Sequence, residues 1–450
     1  MNNKSLENIQ DFIANHKRAV AIALCALLIL PTIIYFIYME LNYGRLVIVT
    51  EGGVGVERVL YGSPSELTRE RFFGRSANIS KGEYIIDVLL GDGSVYITQV
   101  RVRSWIRPTR VRPRALHLEP SQISNRLFES IVPLGDGVVM GYRPSSMPLV
   151  HFPHGFRDLN LGLKQVGGAC RISDEEVMLI GSGDYFGVTG DYGVSIYNLV
   201  SDTYRTMHVT DGRLVNVDVD ISCSGDRMYV VDRARRVIFE VSANGVSEIG
   251  LRDSELIASA SRDLIVSANN TSIAVLYGRD FVDPFSVYYG YIEEVYSDYP
   301  HETPPNQYLE ETRIVIESRS GGEGVVIELE NRDDIFAISL SPNGSYLAVM
   351  NSSVITIYNA LNGDELYSLP AITTSREDLM WYDDERFLLL TNSAVLVSNV
   401  STRETFSIMA RSRERPIQKL STIHDGYLYF TVNQRMGTMM AAYRVRIEGI

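Results

Sequence analysis

Hydrophobic and polar positions change rhythm twice along this chain. From Ala19 to Met39 it reads AVAIALCALLILPTIIYFIYM, 21 residues without a charge. At about 1.5 Å per residue this makes a helix of about 31 Å, the thickness of a bilayer's hydrocarbon core. Pro31 would cost a water-soluble helix about 3 kcal/mol but is tolerated in a membrane. Tyr35 and Tyr38 near one end, with His16, Lys17 and Arg18 near the other, have the character of interfacial anchors. The run is too long for a cleaved signal peptide, and no small-residue cleavage site follows it. Leu24 precedes Cys25 where a lipoprotein signal needs a small residue. The pattern predicts one transmembrane helix over 19–39. Lys4, Lys17 and Arg18 lie before it and the first basic residue after it is Arg45, which predicts a cytoplasmic tail (1–18) and an extracytoplasmic remainder.

Beyond the span the period falls to two. Leu46–Thr50, Val54–Leu60, Glu83–Leu90 and Ser94–Val102 alternate apolar and polar residues and are rich in Val, Ile and Tyr, as strands are. Gly91-Asp92-Gly93 between two of these runs is a hairpin turn, with glycine available for positive φ. A Gly-rich strand entry at Gly44-Arg45-Leu46-Val47-Ile48-Val49, followed by a strand start at Ser80-Lys81-Gly82-Glu83-Tyr84, resembles the PEGA family of small β-sandwich modules over 43–103. That resemblance implies a spacer or adhesive unit with no chemistry of its own.

The stretch 104–124 reads as an Arg/Pro-rich linker, kept extended by Pro108 and Pro113. Arg101, Arg103, Arg107, Arg110, Arg112 and Arg114 occur there and just before it without an intervening acid. They form either a patch for anionic headgroups or an envelope polymer, or a linker paired with acidic protein surface; the second reading is favoured.

From about 125 to 450 one grammar recurs: strand, polar turn, strand, polar turn, strand. It is clearest at Ile335–Tyr358, IFAISLSPNGSYLAVMNSSVITIY, and returns at Val217–Phe239, Leu379–Val397 and Leu420–Val432, with weaker copies at 172–199 and 261–278. A period near 40 with three or four short strands is that of a β-propeller blade, which buries its faces only against neighbours. The Ser341-Pro342-Asn343-Gly344 turn followed by Tyr346-Leu347-Ala348-Val349 resembles blades of WD-repeat and lactonase-like propellers. The fold class is therefore all-β: one N-terminal helix, a small sandwich and a propeller, with seven blades favoured and six or eight the alternatives. An insertion at about 280–311 carries Tyr288, Tyr289, Tyr291, Tyr296, Tyr299 and Tyr308. Such a loop suits protein or glycan contacts, because tyrosine offers contact area at little entropic cost.

A formal net charge of −13 disfavours nucleic acid as a partner. Cys170 and Cys223 read as two buried thiols rather than a pair. His151 and His154 flank Pro153, which removes the helical zinc-protease arrangement and leaves at most an incomplete loop site. No Gly-x-Ser-x-Gly elbow and no phosphate-cradling Gly-x-x-x-x-Gly-Lys-Ser/Thr is present. The resemblance to lactonase-like propellers implies that Asp218 and Asp220, on one face of a strand, are the candidates for a channel Ca²⁺; turn-capping is the stronger reading of both. Asn78, Asn269, Asn270, Asn343, Asn351 and Asn399 fit Asn-x-Ser/Thr.

The sequence therefore points to a non-enzymatic, membrane-anchored binding or scaffolding protein of the cell envelope. It would need no cofactor and no metal. Its partners are the bilayer, through 19–39, and a protein or envelope polymer. The alternative is a Ca²⁺-dependent propeller hydrolase or lactonase.

Overall fold

The computed structural model describes residues 17–50, 54–64, 69–124, 126, 128, 130–135, 138–143, 146–153, 155–159, 165–182, 192–208, 221–232, 237–249, 265–277, 312–319, 324–329, 335–351, 354–370, 379–391, 394–410, 417–434 and 439–450. They fall into two compact units. One holds Met1–Asp92 with Tyr96–Arg114, the other Ala115–Ile450 with Gly93–Val95.

The first unit opens with a helix, Lys17–Asn42, that carries Pro31 inside it. Side chains are described from Ile29 onward, with Cys25 and Leu27 before it, so much of the predicted span lies outside the described set. Among the described residues no helix is long and apolar enough to cross a membrane. The described apolar part, Ile29 to Met39, would make only about 16 Å of helix, half a hydrocarbon core.

Two sheets follow. In one, Tyr43–Ile48 is central, with Ser76–Ser80 antiparallel on one side and Thr109–Val111 parallel on the other. In the second the order is Val95–Val102, Gly82–Leu90, Val56–Gly62, Glu70–Phe72. Leu46, Ile48, Ile79 and Val111 are buried from the first sheet, Val59, Ile86, Val88 and Val102 from the second. Gly44 has no room for a side chain, since a Cβ there would sit 2.3 Å from Val102 Cγ1.

The stretch expected as an extended linker is instead partly folded. Thr109–Val111 is a strand of the first unit, and Ser121–Ser124 is a strand of the second. Both are three or four residues long, too short to show an alternation, and their pairing partners are distant in sequence.

The second unit is a radial repetition of four-stranded antiparallel groups, the arrangement of a β-propeller. Among the described residues seven such groups follow one another, the strands of each hydrogen-bonded in order. Their first strands are Ser130–Gly135, Gln165–Arg171, Ile221–Ser224, Ile265–Ala268, Ile335–Leu340, Leu379–Trp381 and Ile417–His424. Consecutive first strands pack against one another, and the seventh packs against the first. They therefore line the axis. The fourth group is completed by Thr312–Ser318 and Val325–Leu329, which lie beyond the insertion in sequence. The seventh takes three strands from 417–446 and its outer one from Ser121–Ser124, antiparallel to Met439–Arg446.

The fifth group shows why the Ser-Pro-Asn-Gly turn is legible. Gly344 donates its N–H to Ser341 O at 2.9 Å, and Asn343 Oδ1 accepts the Ser345 N–H at 2.9 Å. Gly344 adopts φ +74°, a conformation that L side chains avoid. A Cβ there would also meet Asn269 Nδ2 of the fourth group at 3.0 Å. Gly344→Ala is expected to lower stability by about 1 kcal/mol or more, read as an earlier denaturant midpoint at unchanged m.

Candidate functional site

The axial strands present small polar side chains toward their neighbours. Ser222 Oγ, in the third group, accepts the Ala268 N–H of the fourth at 2.9 Å. Ser267 Oγ does the same for the Leu340 N–H of the fifth, also at 2.9 Å. The Trp381 indole of the sixth group donates to Ser339 O of the fifth at 2.9 Å. Asn269 binds on both sides. Its Nδ2 donates to Ser341 O at 2.9 Å, while Oδ1 accepts the N–H of Thr271 and Ser272 at 2.8 and 2.7 Å. Each bond satisfies a backbone group that an apolar neighbour would leave unpaired, at a cost of about 1–3 kcal/mol per group.

The second and third groups are joined covalently. Cys170 and Cys223 form a disulfide, with Cα atoms 5.5 Å apart. This corrects the expectation of two buried thiols. Only Cys170 is buried, at 2 % exposure, and the two cysteines occupy adjacent axial strands, a proximity that a separation of 53 residues does not reveal.

Between the axial strands of the third to sixth groups lies a cavity of about 500 Å³, within the range of small-ligand sites. Ser222, Ser224, Ser267, Asn270, Ser339 and Trp381 are among its lining residues, and among the described residues no charged side chain is. The hydroxyls of Ser222 and Ser267 are engaged with backbone N–H groups, and Ser224 donates to Asn270 Oδ1 at 3.1 Å.

A charged cluster sits where two axial strands end. Arg171, of the second group, reaches His424 of the seventh, with Nη1 2.7 Å from Nδ1. Arginine can only donate, so Nδ1 accepts and the ring proton is assigned to Nε2, which faces Asp425 Oδ2 at 2.9 Å. Arg171 also pairs with Asp174. Burial of His424, whose side chain is 12 % exposed, and then the Arg171 charge hold the imidazole below its ordinary pKa, with Asp425 and Asp174 pulling the other way. Neither Arg171 nor His424 stood out in the sequence, because they are 253 positions apart.

The residues singled out beforehand do not converge. His151 lies on Ser146–Phe152, away from the axial strands; burial and then the Arg126 charge lower its pKa. His154, Asp218, Asp220 and Tyr288, Tyr289, Tyr291, Tyr296, Tyr299 and Tyr308 lie outside the described residues. Among the described residues no three His, Cys, Asp or Glu side chains form a metal cluster. Arg101, Arg103, Arg107, Arg110, Arg112 and Arg114 belong to the first unit. Asn269 is 6 % exposed with its amide nitrogen engaged, so it is a structural asparagine rather than a glycan acceptor. Asn343, Asn351 and Asn399 use Oδ1 to cap turns.

No protein-family model matches the chain, and no curated protein does. Among solved structures, the extracellular domain of a hybrid two-component system from B. thetaiotaomicron is 10 % identical, with TM-score 0.45, over 73 % of this chain and 40 % of that one. Tricorn protease is 12 % identical, with TM-score 0.43, over 78 % of this chain and 37 % of that one. A chain of the mitotic checkpoint complex is 14 % identical, with TM-score 0.46, over 75 % and 94 %. The chain thus spans about two fifths of the first two. At these scores the likenesses carry no functional argument, and the fold rests on the sheet order given above.

Two measurements follow from this geometry. Reduction of Cys170–Cys223 should cost about 2–4 kcal/mol, read as a shift of the urea midpoint with and without reductant. The depressed folded pKa of His424 means that below about pH 6.5 the unfolded chain takes up the proton first, so stability declines until the folded state protonates too. His424→Gln should flatten that decline between about pH 7 and about pH 5; an unchanged slope would show that His424 does not contribute.

Proposed function

We propose that the protein is a membrane-tethered, extracytoplasmic seven-bladed propeller that acts as a non-catalytic binding module for a protein or envelope polymer. The observation that carries the compartment is the Cys170–Cys223 disulfide, since such bonds persist in oxidising compartments and are rare in the cytosol. The tether is supported by the uncharged sequence 19–39 together with the state of its described half. Ile29, Leu30, Ile33, Ile34, Tyr35, Phe36, Ile37 and Tyr38 are all between 46 % and 60 % exposed, spread round the whole helix. Among the described residues this apolar helix is exposed on every side, and lipid is the solvent that suits such a surface. Lys4, Lys17 and Arg18 favour a cytoplasmic N-terminus.

The first unit serves as a PEGA-like spacer in this reading, motivated by the strand entry at Gly44–Val49 and the strand start at Ser80–Tyr84. Binding is assigned to the Tyr-rich insertion at about 280–311, motivated by its composition. The non-catalytic reading is motivated by the sequence, which has neither a Gly-x-Ser-x-Gly elbow nor a phosphate-cradling Gly-x-x-x-x-Gly-Lys-Ser/Thr. The alternative, a Ca²⁺-dependent hydrolase, rests on Asp218 and Asp220, which lie outside the described residues.

Protease added to intact cells should digest the region beyond residue 115 and leave the N-terminal tail intact; protection of that region would overturn the orientation. Deleting 280–311 should abolish cross-linking to the partner in cells without moving the denaturation midpoint. Retained cross-linking would remove the insertion from the binding site.

A further inference from the structure

The helix does not leave the first unit as a free stem. Its last turn is bound to the loop that joins Val95–Val102 to Thr109–Val111. Glu40 Oε2 accepts the N–H groups of Trp105 and Ile106 at 2.9 and 3.0 Å and the Ser104 hydroxyl at 3.2 Å. Ser104 O in turn accepts the Arg45 N–H at 3.0 Å, and the Trp105 indole donates to Asn78 Oδ1 at 3.0 Å. The Trp105 ring lies edge-on to Phe36 and Tyr35, with centroids 5.2 and 6.5 Å away.

That contact fixes a depth. Phe36 is three residues before Met39, the last residue of the apolar run, which is about 4–5 Å along a helix axis. A helix that crosses a bilayer over 19–39 therefore carries Trp105 into the interfacial layer, where an amphipathic ring is at home. Beside it Ile106 points out, 65 % exposed, and Arg103 and Arg107 are exposed. Among the described residues neither arginine forms an ion pair. Lys81 lies at the same end, since Ser80 pairs with Tyr43, the residue that follows the helix. An apolar residue and an indole flanked by cations is the composition that binds an anionic membrane surface.

We propose that Ser104–Arg107 is a second membrane contact, with Trp105 and Ile106 seated in the headgroup layer and Arg103, Arg107 and Lys81 on anionic lipid headgroups. The first unit then rests on the bilayer instead of standing off it. This rests on the membrane-span reading, so the test keeps the two apart. An exposed isoleucine in a capped turn is the alternative, and it requires no lipid.

The full-length protein is reconstituted in vesicles of phosphatidylcholine with phosphatidylglycerol, and nitroxide-labelled lipids are added with the label near the headgroup or near the chain end. The chain has two tryptophans, Trp105 and Trp381, and Trp381 is 9 % exposed within the second unit. Fluorescence should be quenched by the shallow label more than by the deep one, and Trp105→Phe should abolish that quenching. Vesicles without phosphatidylglycerol should reduce it, and Arg103→Gln with Arg107→Gln should remove the dependence on anionic lipid. Quenching that survives Trp105→Phe, or none at all, overturns the loop contact; equal quenching in neutral vesicles overturns the headgroup assignment. Ile33→Trp in the Trp105→Phe background reports the span separately. Deep quenching there with none at Trp105 rejects the loop alone, whereas no quenching at either position rejects the span.

Discussion

A four-stranded sheet that is apolar on both faces has to be covered on both, and this requirement organises the second unit. The strand Arg227–Asp232 shows it residue by residue. Met228 and Val230 join a cluster with Cys170, Met178, Ile180 and Val194 of the preceding group. Tyr229 and Val231, on the opposite face, join Val266, Ala268, Ile273 and Val275 of the following one. An open row would leave the outer faces of its first and last members in water, so the row has to close. At the closure Phe128, Ile131 and Val139 meet Tyr429 and Ala442, and Ser121–Ser124 supplies the outer strand of the seventh group.

Closure has a consequence for the axial strands. Axial strands packed this closely use their polar side chains on each other, through Ser222, Ser267, Asn269 and Trp381. Among the described residues no charged side chain lines the cavity between them, and the Ser222 and Ser267 hydroxyls accept backbone N–H groups. Such bonds and one disulfide hold neighbouring groups together.

Much of this was legible in sequence wherever a local pattern carries the physics. The Ser-Pro-Asn-Gly turn declares a hairpin, because Gly344 supplies the positive φ and Asn343 the cap. The strands around it alternate, so the repeat could be read from the fifth group outward. What escaped depends on distance along the chain. The Cys170–Cys223 pair exists only once adjacent groups have packed, and the Arg171–His424 contact and the pairing of Ser121–Ser124 with Met439–Arg446 only once the chain's ends have come together. Thr109–Val111 escaped for a second reason: three residues between prolines and arginines carry no period, and the strand is defined by its parallel partner Tyr43–Ile48. Trp105 looked like part of a basic linker, and only its contacts with Glu40, Tyr35 and Phe36 give it a position.

The claim on which compartment, ring and tether all converge is that Cys170 and Cys223 are joined in the living cell. It is tested by quenching cells in acid, alkylating free thiols in denaturant returned to neutral pH, then reducing and alkylating with a second reagent, and reading each cysteine by mass. The account predicts that Cys170 and Cys223 take the second label and that Cys25, the free cysteine, does not. Both ring cysteines carrying the first label would contradict it, and would place the propeller in a reducing compartment.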